Sequence, residues 1–191
     1  MQFSFIMSKF VLRDRTQEAS GVSHEEMEAA LKLTPNIYER LGKEEGIEEL
    51  STLFYNRVFD SETKKEAPWF YNIFASSTKT EAIENQYRFF VQTFGGPDLY
   101  AQKKGKYTRL VGRHANYPIG HGAATLWVKH MMCALHEHSQ IKMVEEEVRK
   151  QTLLALQKYF TYQAHYIVVA SEYMRPDQLS GGTKIDEGRI W

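Results

Sequence analysis

Residues 98–122 carry no regular hydrophobic period, although helical patterns stand on either side of them. Gly105, Gly112, Pro118, Gly120 and Gly122 interrupt any helix or strand that would start there. An irregular stretch of this length inside a compact domain needs a physical reason. One such reason is that something other than protein fills the space beside it. The chain can otherwise build a core: it has 191 residues, 42% of them apolar and 13% aromatic, which suits one globular domain.

The flanking patterns are helical. Ser23 and Glu26 have capping-box spacing, so a helix is expected over residues 24–33. Thr34-Pro35 is expected to restart a short helix, threonine as cap and proline in its first turn, ending near Gly42. Ile47, Leu50, Phe54 and Val58 recur at spacings of three and four, which predicts a helix over residues 44–59. Residues 60–65 read as a polar loop, and residues 68–74 as an aromatic-dense turn. Thr78 and Glu81 form a second capping-box spacing before a helix whose stripe is Ile83, Tyr87, Phe90 and Phe94. Gly95-Gly96-Pro97 stops it. Trp127, Met131 and Leu135 mark the next helix, and residues 143–171 a last long one. Residues 1–22 show no clear period, and residues 175–191 look loose. No strand pair is convincing, so an all-α fold is expected.

Composition excludes several function classes. Lysine plus arginine equals aspartate plus glutamate at 24 each, which argues against nucleic-acid binding. No segment has the apolar length of a membrane span. Cys133 is the single cysteine, so neither an internal disulfide nor a zinc finger can form, and a reducing, cytoplasmic setting is the expectation. Residues 1–15 are poor in acids and carry Lys9, Arg13 and Arg15, a weak hint of an organelle signal. A frayed or docked extension explains them as well.

Among the seven histidines, His136 and His138 are two apart and point to different sides of a helix, so both are expected at the surface. His114 lies in the irregular segment, between Arg113 and an apolar-aromatic run at residues 115–119. Local context alone leaves it an ordinary polar side chain. Gln86 interrupts a face made of Ala82, Phe89 and Phe90, either as a boundary residue or as a donor aimed into a pocket. Tyr55 and Trp127, taken singly, read as core. No phosphate-binding glycine loop, HExxH motif or nucleophile elbow is present.

Taken in order, these pieces resemble the truncated haemoglobins of the second group, which has plant members. The matching residues are Phe54-Tyr55, Ile73-Phe74, Gln86, Phe94-Gly95-Gly96-Pro97, Leu99-Tyr100, Gly105, Gly112-Arg113-His114, Tyr117-Pro118-Ile119 and Trp127. The resemblance covers about residues 36–171. It implies a globin-like two-over-two helical sandwich, here with an extra N-terminal helix. The division expected is an extension at residues 1–34, the globin domain at 35–171 and a tail at 172–191. The family lacks a long proximal helix, which would account for the irregular segment. Departures are Lys106-Tyr107 after Gly105, where the family often has His-Pro, together with Asn116 and the Gly120-His121-Gly122 step.

The resemblance further implies haem b, with His114 as the proximal iron ligand and Tyr55, Gln86 and Trp127 as distal polar residues. Phe74 matches the aromatic against the haem face, and Ala82 the distal position where longer globins carry histidine. Candidate lining residues are Phe74, Phe89, Phe90 and Met131. Candidate partners for the haem propionates are Tyr100, Lys103, Arg109 and Arg113. The function implied is reversible binding of oxygen and other diatomic ligands such as CO and NO, stabilised by hydrogen bonds. A haem enzyme acting on nitric oxide or peroxide with an unknown reductase is the alternative, and a haem-free helical interaction module the third. The helix at residues 24–33 is expected to pack through Met27, Ala30 and Leu31, on the domain or on a second copy in a homodimer.

Overall fold

A computed structural model describes residues 2–105, 110–114 and 117–173, with side chains from Phe10 onward. Among these residues every regular element is a helix. They run α1 (Gln2–Ser20), α2 (His24–Ala30), α3 (Ile37–Arg40), α4 (Lys43–Val58), α5 (Ser61–Glu66), α6 (Pro68–Phe74), α7 (Lys79–Thr93), α8 (Leu99–Lys104), α9 (Leu110–His114), α10 (His121–Glu137), α11 (Ser139–Met143) and α12 (Glu146–Tyr173). No described helix is long and apolar enough to cross a membrane.

The architecture is the expected two-over-two arrangement. α4 packs on α7, α10 packs on α12, and α4 also crosses α10. α10 and α12 run antiparallel: His121 meets His165, while Trp127, further along α10, meets Phe160, earlier on α12. Phe54, Leu50, Met131, Leu135, Leu156 and Phe160 are fully buried between the layers. Each large side chain there contributes roughly 1.5–3 kcal/mol by leaving water.

Both capping boxes form. Glu26 N donates to Ser23 Oγ at 3.1 Å and Glu81 N to Thr78 Oγ1 at 3.2 Å, and each glutamate accepts from its cap backbone. They set the starts of α2 and α7. α2 packs against α12 and buries Met27 and Ala30 there.

The structure departs from expectation in several elements. α1 is a 19-residue helix on α12, although residues 1–22 lack a readable period. Among its described side chains, Leu12 and Thr16 are buried one turn apart, and Thr16 Oγ1 donates to the Leu12 carbonyl at 2.6 Å. Residues 60–65 are not a loop; they form most of α5, which begins where Glu62 N donates to Asp60 Oδ2 at 2.9 Å. Asn36, not Thr34, caps α3, with Glu39 N donating to its Oδ1 at 2.9 Å.

The expected last helix forms in one piece as α12, starting slightly later than expected after the short α11. α11 ends at Met143 and α12 begins at Glu146. His138 is fully buried rather than at the surface. The surface expectation assumed one continuous helix, but α10 ends at Glu137. His138 instead caps α11: Ile141 N donates to its Nδ1, and its Nε2–H donates to the Gly46 carbonyl at 2.7 Å. The irregular segment contains the short α8 and α9. Lys106, Tyr107, Asn116 and the tail beyond Tyr173 lie outside the described residues.

Candidate functional site

α9 packs on α12 and ends at His114. The Nδ1 of His114 lies 2.7 Å from the Leu110 carbonyl oxygen. A carbonyl can only accept, so Nδ1 carries the hydrogen and Nε2, across the ring, keeps the lone pair. Desolvation holds the imidazolium pKa below its ordinary value, and the Arg113 charge pushes the same way, while the Leu110 contact opposes both. The ring is partly exposed by surface area, yet enclosed enough for burial to dominate its pKa. The result is a neutral imidazole of fixed tautomer and orientation, the form a metal requires.

His114 opens on a cavity of about 240 Å³. Tyr55 from α4, Phe74 from α6, Gln86, Phe89 and Phe90 from α7, Tyr100 from α8, Arg113 from α9 and Trp127 from α10 line it with His114. The sequence spread these residues over more than seventy positions, and the fold brings them to one space. Ala82 is buried one turn before Gln86 and is not in the lining. Met131 is fully buried in the core, and it too lies outside the lining. Lys103 is also absent from the wall and pairs with Glu84 at 3.6 Å. Arg109 lies outside the described residues.

Tyr55 is buried, and burial alone pushes its hydroxyl pKa well up. It therefore stays protonated and can donate. Its ring meets Phe54 edge-on at 4.9 Å and Phe74 at 6.0 Å. Trp127 is held between Phe54 at 5.3 Å and Phe160 at 5.5 Å. Such ring pairs fix orientation as well as burying area. Gln86 Oε1 and its neighbour Asn85 Oδ1 are buried with no hydrogen-bond partner among the described residues. A buried amide without a partner costs about 1–3 kcal/mol. Arg113 sits over the Tyr100 ring at 5.6 Å, and Tyr100 meets Phe89 edge-on at 5.5 Å.

Sequence reasoning missed the α12 wall: Tyr159, Phe160, Gln163, Ala164 and Ile167 also line the cavity. Their spacing marks one helix face, but a core face and a cavity face have the same period. Ala123 and Ala124, also in the lining, are small enough to leave room and carry no sequence signal of their own.

The residues fit haem. An aromatic-lined space and one neutral imidazole with its lone pair available suit a large apolar ring that carries a metal. Among the described residues no three His, Cys, Asp or Glu side chains converge. His114 would therefore be a lone protein ligand, which suits a metal already held by a macrocycle.

The family model of bacterial-like globins matches residues 36–161. The chain belongs to this globin family. The globin is 38% identical over 161 residues to two-on-two hemoglobin-3 of Arabidopsis thaliana, covering 84% of this chain and 83% of that one. It is 41% identical over 137 residues to group 2 truncated hemoglobin 3-1 of Lotus japonicus, covering 72% and 74%. The resemblance to plant members of the second group therefore holds. Among solved structures, it is similar to the hemoglobin of Chloroflexus aurantiacus, with a TM-score of 0.55 at 31% identity over 70% of this chain and 98% of that one. The fold also matches the truncated hemoglobin of Pseudoalteromonas haloplanktis TAC125, with a TM-score of 0.53 at 20% identity over 70% and 97%. Membership of the globin family implies haem as the bound group.

Proposed function

We propose that this globin holds haem b through His114 and reversibly binds oxygen and other diatomic ligands, with Tyr55, Gln86 and Trp127 as hydrogen-bond donors. When bound, haem would supply an iron centre that takes oxygen, CO or NO. The observation that carries the reading is the His114 tautomer. Its Nδ1–H is committed to the Leu110 carbonyl, so Nε2 is the nitrogen left for a metal. Tyr55 contributes a hydroxyl kept protonated by burial, and Trp127 an indole N–H that can only donate. The amide of Gln86 adds a third donor on the same lining. Phe74, Phe89 and Phe90 line the same space with apolar rings. Arg113 and Tyr100, which also line the cavity, would meet the carboxylates of a bound haem.

Reversible binding ranks above turnover of nitric oxide or peroxide. The burial that keeps Tyr55 protonated makes it a donor and not a base. The test is the visible spectrum of the chain reconstituted with haem. The wild type should show a Soret band at stoichiometric haem, and His114→Ala should lose or shift it. An unchanged spectrum in that variant overturns the ligand assignment. Steady consumption of nitric oxide or peroxide in the presence of a reductant would favour the enzymatic reading instead.

A further inference from the structure

Two hydroxyls just outside the cavity lining join segments that both contribute to it. Ser76 follows α6, two residues after Phe74, and Tyr117 lies between α9 and α10. Phe74 on one side, and His114 and Ile119 on the other, line the cavity. Ser76 Oγ and the Tyr117 hydroxyl share a hydrogen bond at 3.2 Å, with either able to donate. The Tyr117 ring packs against the core, and a phenylalanine would pack in the same way. What the hydroxyl adds is the bond to Ser76. Trp69, also on α6, reaches the start of α10: its ring stands 4.0 Å from where a Cβ on Gly122 would lie. α6 and the corner after it thus meet the segment that follows His114 at two points.

The turn that carries Tyr117 is stiff. Tyr117 N donates to the His114 carbonyl at 3.0 Å, and Ile119 N donates to the Tyr117 carbonyl at 2.8 Å. The second bond closes a three-residue turn around Pro118, whose ring fixes the φ that such a turn needs. Proline also keeps the preceding Tyr117 out of the helical region. A displacement of Tyr117 therefore reaches both His114 and Ile119, through one backbone hydrogen bond each.

We propose that Tyr117 is a positioning residue for His114: the Ser76–Tyr117 hydrogen bond clasps the turn after His114 to the α6–α7 corner and so sets how the imidazole lies against the bound group. This inference rests on the haem-pocket reading above.

The experiment uses the full chain with and without haem. Tyr117→Phe and Ser76→Ala each remove the bond and keep the packing. In the cofactor-free chain, amide exchange at Tyr117 and Ile119 should speed up by about two- to tenfold in both variants, with the amides of α4 and α12 as in the wild type. In the haem-loaded chain, transfer of haem to an excess of an apoprotein acceptor should quicken by about the same factor. The ferrous iron–histidine stretching band should shift or broaden in resonance Raman spectra. Ser76→Thr keeps the hydroxyl and should stay close to the wild type in all three measurements. The double variant should be no faster than either single one, because both remove the same bond.

Exchange and haem loss equal to the wild type in both single variants overturn the proposal. So do an acceleration spread evenly over all helices and single effects that add in the double variant. Faster exchange with an unmoved iron–histidine band shows a surface bond alone and overturns the positioning role. A wild-type chain that retains no haem defeats the pocket reading, and the positioning role with it. The exchange measurement needs no haem, so failure of the clasp is seen separately from failure of the pocket.

Discussion

At the scale of the residue, chemistry comes from what each side chain is prevented from doing. His114 cannot donate from Nε2 while Leu110 holds its Nδ1–H. Tyr55 cannot ionise easily while it is buried. A donor to an acceptor carrying partial negative charge contributes about 1.5–3 kcal/mol. Tyr55→Phe and Trp127→Phe should therefore each speed oxygen release by roughly ten- to a hundredfold, with much smaller changes in association. Flash photolysis or stopped-flow displacement measures this, and unaltered release in both variants removes the donor argument. These residues were legible in the sequence because their order and spacing matched a family. Gln163 was not, because an amide on the buried side of a long helix looks like a boundary residue until a cavity is seen beside it. Met131 was misplaced for the converse reason: its period is right for a wall, yet it lies fully inside the core.

At the scale of the element, local signals worked where they were local. The Ser23–Glu26 and Thr78–Glu81 boxes start helices because the capping hydrogen bonds span three residues. The α3–α4 junction depends on longer-range geometry. Gly42 caps α4 in the left-handed region at φ 86°. One turn later, a Cβ on Gly46 would stand 1.6 Å from the Leu41 carbonyl oxygen. No side-chain rotation relieves a clash with backbone. Gly46→Ala should cost about 3 kcal/mol or more, read as a lowered denaturant midpoint, and a midpoint equal to the wild type would contradict the packing described. The Gly46 carbonyl also accepts from buried His138, so the same disturbance reaches the start of α11. α1 and α5 were missed because neither shows a readable apolar period: α1 is held by its packing on α12, and α5 lacks any buried residue.

At the scale of the whole molecule, burial of imidazoles ties stability to pH. His130 is pushed below its ordinary pKa mainly by burial, with Arg57 and Lys129 adding to the effect, and His165 by burial and His121. A histidine whose folded pKa is depressed contributes stability above its unfolded value of about 6.5. That contribution is lost as pH falls through the folded pKa, because the unfolded chain binds the proton first. The melting temperature of the cofactor-free chain should thus hold steady above about pH 7 and fall as pH drops below about 6.5. His130→Phe, which keeps a ring against Phe70, should make that fall shallower. Scanning calorimetry across this range checks both, and a flat profile between pH 7 and 5 contradicts them. Glu49, Glu81 and Glu84 are held below the ordinary carboxylate value by their hydrogen-bond and charge partners, so their loss comes separately, below about pH 4.5.

The sequence by itself determined the helical class, the two capping boxes, the family and most of the pocket residues that family motifs mark. These depend on chemistry between neighbours in the chain or on ordered spacing, which survive in one dimension. The tertiary structure alone decided which face of α12 is wall and which is core, that His138 is buried, and that the extension docks on α12. These outcomes depend on residues far apart in sequence, such as Gly46 with His138 and Met27 with Gln163. Contacts of that kind are set by the packing of whole helices, so no local pattern announces them.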